Sequence, residues 1–208
     1  KKDLACWVFF FIYYNMIINY DLILDVIINS LIPLTRKSVE NGNKIFGAAI
    51  IKKSDYSVEI IGTNNENINP IFHGEISTIN NFFNKKNIEN PNKYLFISSH
   101  EPCSLCLSAI TWSGFDNFLY FFPYEDTKNK FNIPHDLNIL KEVFNINEGK
   151  YNVTNSYWKS YSILKEIDKI RGKDKLKILK KVDFITKNYD EFSQIYQNFK
   201  DNNKIPLK

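Results

Sequence analysis

Three apolar runs constrain the fold of this 208-residue chain more than any other feature: IFGAAIIKK at 45–53, YLFIS at 94–98 and FLYFF at 118–122. Each has strand length without polar alternation, so both of its faces need cover. SVEIIG at 57–62 follows the first run after Ser54-Asp55-Tyr56, a turn composition that predicts a hairpin. Stretches of helical period separate the runs. Ile76, Ile79, Phe82 and Phe83 form one stripe within Glu75–Phe83, and Cys103 to Trp112 reads as a second helix. This alternation predicts an α/β domain whose sheet carries helices on its faces.

The flanks read as helical. Asp25 to Glu40 is a helix interrupted near Pro33, with Asn41-Gly42-Asn43 as its stop. From Tyr157 onward the period stays helical to the end, through Ile163, Ile167, Leu176, Leu179, Val182, Phe192 and Tyr196, with Lys and Glu on a solvated face. Residues 1–24 are an apolar extension. Its run from Leu4 to Ile18 is shorter than the ~20 residues of a spanning helix and carries Asn15. A helix packed on the domain is therefore expected rather than a membrane tether or a cleaved leader. The expected organisation is an extension (1–24), a central α/β domain (25–156) and a helical extension (157–208).

Composition narrows the function classes. A net charge of +4 is too mild for a dedicated nucleic-acid surface. With 27 Asn in the chain, Asn-rich stretches reflect composition rather than a site. Three cysteines cannot build a disulfide framework, and the close pair Cys103 and Cys106 points to metal or redox chemistry in a reducing, cytoplasmic compartment.

Two motifs open helices. His73-Gly74-Glu75 follows the polar loop 63–71, and Pro102-Cys103-Ser104-Leu105-Cys106 follows the strand at 94–98. Cysteines at i and i+3 share a helix face and can grip one ion, and a helix N-terminus favours their thiolates. One nitrogen ligand completes a three-ligand zinc site with an open fourth position, the catalytic arrangement. Cys6 could serve as a fourth ligand only if the amino-terminal run folded back. Glu75, two residues beyond His73, can face the same cavity and move protons. The pair of H-x-E and P-C-x-x-C is a known signature of zinc deaminases.

On IFGAAIIK, NPIFHGE and EPCSLCLSAITW, residues 25 to 125 resemble the cytidine and deoxycytidylate deaminase superfamily, which includes cytosine, guanine and tRNA-adenosine deaminases. The resemblance implies a three-layer α/β/α fold with a mixed sheet, one Zn²⁺ held by His73, Cys103 and Cys106, and Glu75 as proton shuttle. It also implies Asn64 as a residue bonding the base, Phe46 as packing under the pocket, and the Cys103 backbone amide as a contact to the substrate oxygen. The expected activity replaces an exocyclic amine of a nucleobase, nucleoside or nucleotide with oxygen. HGEIST resembles the cytosine form and EPCxxCLxAI the guanine and tRNA-adenosine forms. A small substrate is favoured over tRNA, and a zinc-stabilised scaffold without turnover is the alternative of another class. Relatives of this kind commonly form homodimers, which is the expectation here. His100 is expected at a strand end or pocket rim, not as a ligand, and His135 in a loop. Trp112 is expected in core or interface packing, with stacking on a base the lesser reading for it and for Tyr157 and Trp158.

Overall fold

In the computed structural model, which describes residues 17–208, the three buried runs join one five-stranded mixed sheet. The reading of residues 4–18 as a packed helix, and Cys6 with it, lies almost wholly outside the described residues. Among the described residues no helix is long and apolar enough to cross a membrane. Strands β1 (Gly47–Lys52), β2 (Val58–Thr63), β3 (Tyr94–His100), β4 (Asn117–Phe122) and β5 (Lys159–Ser162) lie in the order β2-β1-β3-β4-β5. β1 runs antiparallel to both β2 and β3, whereas β3, β4 and β5 are mutually parallel.

Both faces are covered, as unbroken apolar strands require. Ala48, Ile50, Phe96, Phe118 and Tyr120 face one core, which takes Phe82 and Ile110 from helices α3 (Gly74–Phe83) and α4 (Ser104–Trp112). The alternate residues Ala49, Ile51, Leu95, Ile97, Leu119 and Phe121 face the other core. That side is closed by α1 (Tyr20–Val26), α2 (Ile32–Glu40), α7 (Ile163–Lys169) and the 25-residue α8 (Lys175–Phe199). Two helical layers thus enclose the sheet, the expected three-layer arrangement.

The structure corrects three local readings. Near Pro33 the helix widens instead of breaking: Ile27–Leu31 is a π-helical turn and the Ile32 amide donates to Ile27 O. A proline cannot donate to the carbonyl four residues back and crowds it, so the chain takes up one extra residue per turn. The helical reading from Tyr157 fails at its start, because Lys159–Ser162 is strand β5, paired in parallel with β4. Its four residues are too few to show a period, and the sheet draws its fifth strand from beyond residue 156. The stretch after β4, left without structure in the sequence reading, holds α5 (Tyr124–Asn129) and α6 (His135–Phe144). α6 crosses in front of the α4 N-terminus.

Candidate metal centre and active site

Both motif histidine and motif cysteine are helix caps. His73 caps α3 with extended backbone (φ −63°, ψ 163°), and Cys103 caps α4 in the same way (φ −63°, ψ 171°). Neither side chain makes a capping hydrogen bond to its helix, which leaves both available to another partner. Gly74 permits the approach: a Cβ there would lie 2.8 Å from Gly47 Cα and 3.0 Å from Phe46 O. Only glycine lets α3 begin against β1 and bring His73 to Cys103.

The donor set is already spaced for an ion. His73 Nδ1 lies 3.4 Å from Cys103 Sγ and 3.7 Å from Cys106 Sγ, and the three donor atoms lie within 4.8 Å of one another. Tetrahedral zinc with ordinary Zn–S and Zn–N bonds needs an N···S separation of about 3.6 Å. Two thiols and an imidazole are also the ligand chemistry zinc prefers. These residues fit the metal.

Electrostatics prepare the ligands unequally. The Cys103 thiol is pushed well below its usual range, by the hydrogen bond from Cys106 and by His73, against the cost of burial. Burial holds the Cys106 thiol well above its usual range. Burial also opposes protonation of His73, but Cys103 and the carboxylates of Glu75 and Glu66 together lift it to about 9.

Glu75 is 4% exposed at the first turn of α3. Ser98 Oγ on β3 donates to its Oε1 at 2.8 Å, and the Cys106 thiol donates to Oε2 at 3.2 Å. Burial, followed by the negative charge of Cys103, raises its proton affinity. It therefore stands beside the donor triad, in place to exchange protons with whatever binds there.

In front of the cysteines opens a cavity of about 270 Å³, lined by Phe46, Glu66, His73, Cys103, His135 and Asp136 among others. Its outer wall is the carboxy-terminal tail, with Ile205, Pro206 and Leu207, and His135 Nε2 lies 2.7 Å from Lys208 O. A void of about 10 Å³ beneath it touches Phe46, His73, Glu75, His100, Glu101, Cys103 and Asp136. That is enough room for about one water. A larger groove of about 640 Å³ lies across β2, lined by amides and none of the donor residues.

The other expected residues fall as follows. Phe46 lines the cavity and packs edge-on against His100, with ring centroids 4.5 Å apart. Asn64 is 1% exposed and has both polar ends engaged: Oδ1 accepts from Gly74 N at 2.6 Å and Nδ2 donates to Glu66 at 2.8 Å. His100 ends β3 as expected, but it lies in the core rather than at a rim. It is enclosed by Phe46, Phe122, Phe131 and Tyr189, its Nδ1 meets Ser99 Oγ at 2.9 Å, and its Nε2 has no partner. His135 opens α6 rather than lying in a loop, and it reaches the cavity mouth. Trp112 is 91% exposed and Tyr157 is exposed, while Trp158 is buried with its Nε1 donating to Thr111 Oγ1. None of the three aromatics lines the cavity.

Two carboxylates escaped the sequence reading. Asp136, in the first turn of α6, turns its carboxyl group into the cavity, where burial and then the Cys103 charge push its proton affinity far up. No local motif marks it, since α6 itself has no strong sequence signal. Glu101, within EPC, is satisfied structurally: it accepts from Tyr124 N at 3.1 Å and from Tyr151 Oη at 2.8 Å.

Burial holds the His100 pKa well below its ordinary 6.5. The folded state thus keeps the ring neutral while the unfolded chain protonates below about 6.5, so the unfolded state binds more protons and stability is lost as the pH drops. Each pH unit below 6.5 should cost about 1.4 kcal/mol from this group until its folded pKa is reached. Urea unfolding of wild type and His100→Phe between pH 7 and 5 should show this loss only in wild type; equal slopes would refute it.

Comparison with known proteins gives the following. Residues 26–122 match the family model of the cytidine and deoxycytidylate deaminase zinc-binding region. The fold is similar to guanine deaminase from Bacillus subtilis (25% identity, TM-score 0.50), over 67% of this chain and 88% of that one. It is also similar to guanine deaminase from Nitrosomonas europaea (15%, TM-score 0.48; 80% and 82% covered). A structure from studies of A-to-I editing by tRNA:A34 deaminases matches at 16% and TM-score 0.43, with 65% and 97% covered. A search of curated protein sequences finds no match.

Proposed function

We propose that this chain, whose residues 26–122 match the cytidine and deoxycytidylate deaminase zinc-binding region, is a member of that superfamily and a zinc-dependent hydrolytic deaminase of a free, guanine-type base. The observation that carries this reading is that Glu75 and Asp136 both reach the small void beside His73 and Cys103, Glu75 from the start of α3 and Asp136 from α6, where it also lines the larger cavity. A scaffold that merely used zinc for stability has no need of either.

His73, Cys103 and Cys106 would hold the ion. Zinc, when bound, makes a water nucleophilic at neutral pH. Glu75 takes a proton from the attacking water and passes it to the ring nitrogen of the amidine. It then takes the remaining proton from the newly added hydroxyl and delivers it to the departing amine, so that the C–N bond breaks, ammonia leaves and a carbonyl remains. Ser98 Oγ holds one carboxylate oxygen and leaves the other for this work. Asp136 accepts a ring N–H when ionised and donates when neutral. Phe46 supplies an apolar wall for the ring.

A small substrate is supported by the tail, because Ile205 to Leu207 narrow the mouth that a tRNA loop would have to enter. The likeness to the Bacillus subtilis guanine deaminase supports guanine over cytosine. The proposal includes a homodimer, to which exposed Leu105 and Trp112 on α4 would offer an apolar face. It also places the chain in a reducing compartment that keeps the thiol ligands free.

The test is ammonia release from guanine, cytosine, adenine, guanosine, dCMP and an anticodon stem-loop. Guanine should be the best substrate by kcat/KM; turnover of another member alone would overturn the substrate class. Asp136→Asn should retain zinc and lose roughly 0.5–1.5 kcal/mol, the net contribution of a hydrogen bond made by a neutral carboxyl, on the order of 2- to 10-fold in kcat/KM. An unchanged kcat/KM would remove Asp136 from substrate recognition.

A further inference from the structure

Behind His73 stands a buried ion pair that neither motif contains. Glu66 Oε1 lies 3.9 Å from His73 Nε2, the nitrogen that faces away from the cysteines. Lys44 Nζ donates to the same oxygen at 2.7 Å, and the side chains of Lys44 and Glu66 are only 7% and 1% exposed. The second oxygen accepts from Lys44 N at 3.2 Å and from Asn64 Nδ2 at 2.8 Å. Asn64 in turn accepts from Gly74 N, the residue next to His73. The carboxylate is thus held by three donors and aimed at the imidazole.

We infer that Glu66, neutralised by Lys44, is a positioning residue for His73: it holds the proton on Nε2 so that Nδ1 offers its lone pair to the metal. This role rests on the zinc-site reading above. The physical need is specific. A neutral imidazole has one protonated nitrogen, and which one is set by the partner of the other. Metal-bound histidines ordinarily give that second N–H to a carboxylate or carbonyl, and losing the partner typically costs 10- to 100-fold in metal affinity. The 3.9 Å separation is about 1 Å beyond hydrogen-bond length, so the proposed role requires the imidazole to turn toward Glu66 by that much when the metal binds. Lys44 lets a carboxylate stand there without adding net negative charge to a site that must hold two thiolates once the metal binds. The Asn64 link carries the same constraint to the backbone of α3, which accounts for a fully buried amide whose two ends are both engaged.

The experiment is zinc affinity by chelator competition, with the Co²⁺ absorption spectrum as a second readout, on substrate-free full-length chain. Glu66→Gln should weaken zinc 10- to 100-fold and shift the cobalt bands. In a His73→Ala background the same substitution should have no further effect, because its route to the metal is gone. If Glu66→Gln does not fold, the Lys44→Met, Glu66→Gln double variant removes both charges and is read in the same way. Affinity within twofold of wild type, or an equal loss in both backgrounds, would overturn the role. Wild-type zinc binding with no deamination of any base would instead remove the proposed activity and leave this role standing.

Discussion

Replacing Glu75 with glutamine should abolish turnover while the protein still loads zinc. Acid–base catalysis by one positioned group supplies 10²- to 10⁴-fold, and here both proton transfers pass through one carboxyl, so a loss near the top of that range, about 10⁴-fold in kcat, is expected. The substitution is nearly isosteric. Ser98 Oγ can still donate to the amide oxygen where it now meets Oε1. Because burial already disfavours the Glu75 charge, its removal should not weaken the fold. The raised proton affinity also suits the task, since a group poised nearer neutrality can both take and give a proton at working pH. Elemental analysis should return one zinc per chain in the variant. Turnover at wild-type rate would sink the proton-shuttle role, and loss of zinc would show that Glu75 instead supports the ligands.

What was readable in advance, and what was not, has physical causes. β3 and β4 announced themselves because a strand covered on both faces must be apolar at every position, and no surface segment imitates that. The donor triad was readable because two helix starts carry it in eight residues of sequence, 73–75 and 102–106, and cap geometry then aims His73 and Cys103 at one point. Strand β5 was missed because Lys159–Ser162 is only four residues long, has a strand neighbour on one side only and alternates partly exposed polar residues with Tyr161. Its strand state is imposed by β4, not by its own composition. His100 was misplaced for a related reason: a neutral histidine among aromatics has no local mark, and burial is decided by α8 and the loop at Phe131, far along the chain. Asp136 and Glu66 lie in loops or weak helices whose meaning comes from what they face across the cavity. Sequence spacing cannot report that.

Substituting Cys103 by alanine should empty the metal site and with it all activity. Three protein ligands are the minimum for a catalytic zinc, and Cys103 is the ligand whose thiolate is formed most readily. Cys106, held protonated by burial, must give up its proton to bind. Zinc loading of wild type should therefore strengthen as pH rises, with protons displaced both from that thiol and from His73, whose pKa stands at about 9. The fold should outlast the metal, because the two cores on either side of the sheet contain no zinc ligand except at their margin. Zinc at a thousandfold excess over its Kd adds about 4 kcal/mol to the native state. For a chain of this length that is roughly 8–16 °C in Tm. Wild type treated with a strong chelator and untreated Cys103→Ala should thus melt at similar, lowered temperatures, with the helical circular dichroism retained. A full equivalent of zinc in Cys103→Ala would refute the ligand assignment. Unfolding of the chelated wild type at room temperature would show instead that the ion holds the two helix starts together as well as serving chemistry.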